Sequence, residues 1–182
     1  MDTVSILDSN ISYYRPDELA QVDPDTYHHM MHICDQLDIQ MPDIAYCPDI
    51  IIVSTTLGYS CGLGYTFSPV DFPQLTNNLV TIKDIDNGYL FYGTLAHELR
   101  HIWQRECAPQ MIKKPANGFL ESLVHPAEID ADGYAIYYLH DQGGINMDQA
   151  GKIMCPEEQK HYQKAYQMRL FKAAKIKEIY KK

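Results

Sequence analysis

Three features that often reveal the class of a protein are missing from this sequence of 182 residues. No apolar run approaches the length of about 20 residues that spans a bilayer, so we expect no stable membrane insertion. The first ten residues lack a basic patch followed by an apolar run and do not indicate a secretory signal. Five cysteines without a C-x-x-C pair argue against a disulfide framework. A cytoplasmic protein is the simplest expectation.

Positive charge is scarce until the last part of the chain. Residues 1–158 hold 7 Lys and Arg against 23 Asp and Glu, whereas residues 159–182 hold 8 basic residues and one acidic residue. The net charge of −9 would repel nucleic acid, so we expect no nucleic-acid partner. Apolar residues recur at helical spacing in the basic segment and predict a C-terminal helix over 156–182 that packs on the acidic body with its lysines in solvent: Tyr162, Tyr166, Leu170, Ala173 and Ile176. A docking surface for an acidic partner or an anionic membrane is the alternative.

The remaining pattern mixes helix and strand within what we expect to be a single domain, residues 1–182. A helix is predicted over 16–37, a buried β-branched strand over 49–55 and a half-exposed strand over 79–83. The glycine-rich stretch 57–67 lacks the Lys-Ser/Thr ending of a phosphate-binding loop and predicts a hairpin or wide turn. The fold class is therefore α+β.

The strongest chemical signal lies in a predicted helix from Tyr89 to about Cys107, with Pro109 marking its end. It contains an H-E-x-x-H pattern formed by His97, Glu98 and His101. The two histidines are one helical turn apart, about 6 Å, and can hold one metal ion. Glu98 cannot easily bind the same ion but can reach a water molecule on it, the role of a general base.

A catalytic zinc ion takes three protein ligands and keeps one position open. The extended motif with a third histidine is excluded, because Gln104 and Cys107 occupy its positions. The best third ligand is Glu128 on a second predicted helix, which starts at His125 and runs to about His140. Asp132, four residues further on, would accept the free ring N–H of one histidine. Other candidate ligands remain open: Glu121, His125, Asp130 and Asp132.

These residues resemble the gluzincin metallopeptidases, in which H-E-x-x-H is followed on a later helix by a glutamate ligand in an E-x-x-x-D setting. The matching positions are His97, Glu98, His101, Glu128 and Asp132, and the resemblance covers about residues 79–139. It implies a zincin-like fold, in which a small sheet packs against the H-E-x-x-H helix and the glutamate-bearing helix, followed by a long C-terminal helix. It also implies a Zn²⁺ cofactor and a peptide or protein substrate.

The resemblance further implies that a Tyr or His stabilises the oxyanion of the reaction and that a peptide pairs with an edge strand. We expect Tyr134 in the first role, ahead of His125, Tyr137 and Tyr138, and the strand 79–83 in the second. The alternative function is a zinc-stabilised interaction module that cleaves nothing. A metallohydrolase acting on a substrate other than a peptide is the third hypothesis.

Overall fold

A computed structural model describes residues 11–47, 51–55, 58–83, 88–112 and 119–180, and for 51–55, 58–62 and 119 it describes the backbone alone. The class is α+β, as the sequence predicts, and most of the described residues are helical. The chain divides into two compact units, Met1–Asp86 and Asn87–Lys182. The expectation of one domain for the whole chain stays a prediction.

The first unit contains the strands. In chain order they are β1 (Ser12–Tyr14), β2 (Asp43–Cys47), β3 (Ile51–Thr55), β4 (Gly58–Gly62), β5 (Gly64–Phe67) and β6 (Leu79–Lys83). Four of them form a mixed sheet in the order β1-β2-β6-β5, with β2 and β6 parallel and the outer pairs antiparallel. Strands β3 and β4 form a separate antiparallel pair. The predicted strand is present at residues 51–55, while residues 49–50 and the burial of this strand lie outside what the structure describes. The glycine-rich stretch does not form the expected hairpin within 58–67, because β4 pairs with β3 and β5 pairs with β6; residue 57 lies outside the described residues.

Strand β6 differs from its prediction. The strand exists at residues 79–83, but it lies between β2 and β5, so it is an inner strand and cannot offer a free edge to a peptide. It is also more buried than its alternating pattern indicates. Thr81, expected on the solvent side, is 1% exposed, and its hydroxyl donates a hydrogen bond to the Tyr65 carbonyl at 3.1 Å. An internal hydrogen-bond partner allows a polar side chain to face the interior.

The single helix predicted over 16–37 is two helices, α1 (Pro16–Val22) and α2 (Pro24–Leu37). Asp23 lies between them with an extended φ of −144°, because the ring of Pro24 disfavours helical geometry in the residue before it. The Asp23 carboxylate then caps α2 by accepting from the Thr26 N–H at 3.1 Å. The prediction missed the break because it overlooked Pro24.

The second unit is helical. Its helices are α3 (Gly88–Cys107), α4 (Phe119–Ser122), α5 (Pro126–Asp141), α6 (Met147–Met154), α7 (Pro156–His161) and α8 (Gln163–Tyr180), with a 3-10 turn at Pro109–Met111. The helices predicted from Tyr89 and from His125 are confirmed as α3 and α5. Helix α5 is buried around most of its circumference, as expected for a central helix, and it packs against α3, α6 and α8.

The C-terminal segment is not the one long helix predicted over 156–182. It consists of α7 and α8, which are separated at Tyr162, where φ is −133° and ψ is 57°. No proline or glycine marks this break in the sequence. Tyr166, Ala173 and Ile176 are buried as the helical spacing predicts, whereas Tyr162 is 36% exposed.

Among the helices that the structure describes, none combines the length and the apolar composition that crossing a membrane requires.

Candidate metal centre

Helices α3 and α5 bring three potential metal ligands together. His97 and His101 lie one turn apart on α3, and Glu128 lies in the first turn of α5. One ligand atom from each residue lies within 4.8 Å of the other two, and this is the only such group of three among the residues with described side chains. The side chains of His97, His101 and Glu128 are 15%, 17% and 33% exposed, so the group is partly accessible to solvent.

The spacing of the three groups fits a tetrahedral zinc ion. The Nε2 atoms of His97 and His101 are 3.0 Å apart. The Glu128 carboxylate directs Oε2 to His97 Nε2 at 3.5 Å and Oε1 to His101 Nε2 at 3.7 Å. With metal–ligand bonds of about 2.0–2.1 Å, two ligands of a tetrahedral ion lie about 3.3 Å apart. The donor set, two imidazoles and a carboxylate, is also one that zinc accepts.

A carboxylate fixes the orientation of His97. The Nδ1 atom of His97 lies 2.9 Å from Oδ1 of Asp132, one turn after Glu128 on α5. An N–H at Nδ1 donates to this oxygen, which leaves the lone pair on Nε2 for a metal. The other carboxylate oxygen, Oδ2, accepts from Nε of Arg169 on α8 at 2.6 Å. The structure therefore places Asp132 where the sequence predicts it, behind a histidine.

An amide fixes the orientation of His101. Its Nδ1 lies 2.8 Å from Oε1 of Gln104, which can only accept, so the proton is on Nδ1 and Nε2 is free. The Gln104 amide nitrogen donates to the Ala127 carbonyl and to Asp130 Oδ2, each at 2.9 Å. Gln104 is completely buried and therefore links His101 on α3 to the start of α5.

Asp130 belongs to a buried cluster of charges. It accepts from Arg100 Nε at 2.8 Å and pairs with Lys172 Nζ at 2.8 Å. The Arg100 guanidinium also stacks over the Trp103 ring at 3.5 Å from its centroid. Burial raises the pKa of Asp130, but the bonds from Arg100, Lys172 and Gln104 outweigh burial and lower it. These contacts engage both carboxylate oxygens of Asp130, so Asp130 does not join the three potential ligands.

The electrostatics of the group suit a cation. Burial lowers the pKa of His97, but the Asp132 carboxylate, with help from Glu128 and Glu98, holds it well above its ordinary value. Burial raises the pKa of Glu128, but the hydrogen bond with His97 and the charge of His101 lower it to about 2. The carboxylates around His97 thus stabilise positive charge at its imidazole, and the same field favours a metal ion in place of the proton.

The proposed general base and the proposed oxyanion donor differ in placement. Glu98 is 6% exposed and contributes to the field at His97, next to it on α3. Tyr134 is completely buried; its ring packs near Tyr180 and lies 5.3 Å from the Arg100 guanidinium. Six residues along α5 place it on a different face from Glu128. The Glu98 carboxylate therefore lies close enough to His97 to raise its pKa, whereas Tyr134 lies in the core without exposed surface for a substrate.

The other candidates from the sequence also lie outside the group of three ligands. His125 is half-buried and caps α5, because its Nδ1 accepts from the Ala127 N–H at 3.3 Å. Glu121 is exposed on the short helix α4. Tyr137 and Tyr138 are buried on α5. Among the acids considered as third ligand, Glu128 is the one that meets both histidines.

Sequence reasoning missed two residues that support the histidines. Gln104 follows His101 by three positions, and this spacing, which places both side chains on one face of a helix, was the available signal. Arg169 falls within the apolar stripe of α8, between Tyr166 and Ala173 at helical spacing. A lone arginine within such a stripe was the available signal, since arginine is seldom buried without a partner.

Comparisons with protein-family models, with curated proteins and with solved structures found no match to this chain.

Proposed function

We propose that the chain is a zinc-dependent peptidase of the gluzincin type. The observation that carries the proposal is the meeting of His97, His101 and Glu128, whose ligand atoms all lie within 4.8 Å of one another. Both imidazoles are held by hydrogen bonds at Nδ1, which is how proteins present Nε2 to zinc. Histidines that only face solvent do not need hydrogen bonds of this kind to fix their orientation.

A zinc ion held by these residues would supply a Lewis acid that polarises a carbonyl and makes water acidic. The chain's own part in the reaction falls to Glu98. Its carboxylate takes the proton from the attacking water and then transfers it to the nitrogen of the leaving amine. His97, His101 and Glu128 hold their positions throughout, and Asp132 keeps the His97 proton on Nδ1.

The buried placement of Glu98 favours a catalytic centre over a purely structural one. A structural zinc site is closed by four protein ligands and needs no additional carboxylate. Here three ligands converge, a 33% exposed Glu128 keeps the group open to solvent, and a buried acid lies beside the first histidine. We therefore rank the peptidase ahead of the interaction module and of a metallohydrolase for other substrates.

The first experiment measures metal content and cleavage together. The purified chain should contain about one zinc ion, and it should digest a peptide library in a reaction that a chelator stops and added zinc restores. A chain without affinity for zinc would overturn the proposal. Zinc without cleavage would favour the interaction module, and chelator-sensitive hydrolysis of ester substrates alone would favour the third hypothesis.

Three substitutions then separate the roles of the acids. Glu98→Gln should retain zinc and lower kcat by about 10²–10⁴-fold, because it removes the proton acceptor. Glu128→Gln should lower zinc occupancy instead. Glu121→Gln is the matched control, an exposed acid on the neighbouring helix α4 that should change neither quantity. Undiminished cleavage by Glu98→Gln would remove that residue from the mechanism.

A further inference from the structure

Helix α8 carries one basic side chain that differs from the surface lysines around it. Arg169 is 2% exposed, whereas Lys175, six residues further on, is 54% exposed and pairs with Glu178 at the surface. Burying a guanidinium is costly unless every face of it finds a partner. The partners of Arg169 therefore indicate what its burial achieves.

Those partners come from four parts of the helical unit. Arg169 Nε donates to Asp132 Oδ2 on α5 at 2.6 Å, and Nη2 lies 3.6 Å from Glu158 Oε1 on α7. Nη1 donates to the Leu123 carbonyl at 2.9 Å and to the Ala165 carbonyl at 3.2 Å. The guanidinium thus joins α5, α7 and α8 to the turn that precedes α5.

Two of these contacts act on the candidate metal centre. Arg169 takes one oxygen of the Asp132 carboxylate while His97 Nδ1 takes the other, so the guanidinium sets the plane of the carboxylate that orients the imidazole. The bond to the Leu123 carbonyl holds the chain two residues before His125, where α5 and its first-turn Glu128 begin. One side chain therefore supports both a histidine and the carboxylate that faces it.

We propose that Arg169 is a positioning residue for the metal centre, and that α8 is consequently a part of that centre through the chain Arg169–Asp132–His97. This inference rests on the proposed function, because it requires that His97 binds a metal ion. It assigns the basic C-terminal segment an internal role that its lysine-rich composition does not indicate. A guanidinium suits the role because its planar donors engage a carboxylate and two carbonyls at fixed angles, which an ammonium group does not.

The test compares metal binding by the full chain and by variants at one pH. Arg169→Met removes the charge at similar length, Arg169→Lys retains the charge without the planar donors, and Lys175→Met is the control for loss of positive charge on α8. Affinity for Zn²⁺ is measured by competition with a chromophoric chelator. We expect Arg169→Met to lower it about 10–100-fold, Arg169→Lys to lower it less, and Lys175→Met to leave it unchanged.

Two further measurements separate positioning from general stability. Co²⁺ at saturation reports ligand geometry through its visible absorption bands, and these bands should shift in both Arg169 variants but not in Lys175→Met. The thermal midpoint of each metal-free variant shows whether the chain is folded. If Arg169→Met does not fold, Arg169→Lys still tests the proposal. Asp132→Asn combined with Arg169→Met should cost less binding free energy than the sum of the two single losses, because Arg169 and Asp132 act on His97 through the same carboxylate.

The outcomes are distinct. Wild-type affinity and an unchanged Co²⁺ spectrum in a folded Arg169 variant would overturn the positioning role while leaving the zinc proposal intact. Additive losses in the double variant would also overturn it, since Arg169 would then act independently of Asp132. Failure of the wild-type chain itself to bind Zn²⁺ would overturn both proposals together.

Discussion

The two compact units bury carboxylates in different ways. In the first unit Asp43 is 6% exposed and accepts hydrogen bonds from neutral groups, the Tyr13 hydroxyl and the Asn77 amide. In the second unit Asp130 and Asp132 are 1% and 9% exposed, and each is paired with a buried arginine. The first arrangement satisfies one side chain locally, whereas the second links helices α3, α5 and α8.

This contrast associates the buried ion pairs of the second unit with the candidate metal centre. Buried ion pairs contribute little net stability, because desolvation of the two ions offsets their attraction. The Asp130–Arg100 pair reaches His101 through Gln104. The Asp132–Arg169 pair contacts His97 directly. Titratable groups with shifted pKa values that cluster around partly exposed histidines are typical of functional sites. The pairs are therefore better explained as supports for His101 and His97 than as stabilising contacts.

The largest expected effect on stability is that of Asp130→Asn. It leaves the Arg100 guanidinium buried without its counter-ion, and removing one partner of such a pair costs about 3–5 kcal/mol. Urea unfolding followed by the fluorescence of Trp103, the only tryptophan, measures the loss.

The matched variant in the first unit is Asp43→Asn. An asparagine keeps one acceptor and faces the same neutral donors, so the expected loss is about 1 kcal/mol, measured by far-UV circular dichroism. Equal losses for Asp130→Asn and Asp43→Asn would show that the units do not differ in how they tolerate a neutralised carboxylate.

The second prediction concerns the neutral link to His101. Gln104→Met is close in size but removes both the acceptor for His101 Nδ1 and the donor to Asp130. We expect Zn²⁺ affinity to fall about 10–100-fold, as for other residues that orient a metal-bound histidine. Gln167→Met, at an exposed position of α8, is the control. Affinity equal to that of the control would mean that His101 needs no support from Gln104.

The sequence predicts what is local in this site. His97 and His101 share a face because they are four residues apart on one helix, and the same rule places Glu128 and Asp132 together on α5. The contact between Arg169 and Asp132 joins positions 37 apart, and no periodicity in either helix specifies it. The place of β6 inside the sheet is likewise a matter of strand pairing, which alternation along one strand does not encode.

The third prediction tests the close packing that brings α8 to α5. A Cβ added at Gly133 would lie 2.9 Å from Cβ of Lys172 and 3.2 Å from the backbone nitrogen of Ala173, so the two helices would have to separate. We expect Gly133→Ala to destabilise the chain by about 1–3 kcal/mol in urea unfolding. Gly88→Ala is the control, because its nearest contact, at 3.9 Å on Tyr92, is an ordinary one. If Gly133→Ala left the free energy of unfolding unchanged, the packing between α5 and α8 would not be tight at this position.

The smallest expected effect lies in the first unit and depends on pH. Burial raises the pKa of Asp23, but the hydrogen bonds from Thr26 and Tyr46 lower it overall. Because the folded pKa is below the unfolded one, the stabilisation is present above the unfolded value of about 3.9 and is lost as the pH falls through the folded pKa. Asp23→Asn retains a helix cap but does not titrate. The urea midpoint of Asp23→Asn, followed by far-UV circular dichroism, should therefore fall less than that of the wild type between pH 5 and pH 3. If the two midpoints fall in parallel over this range, Asp23 is not a source of acid sensitivity.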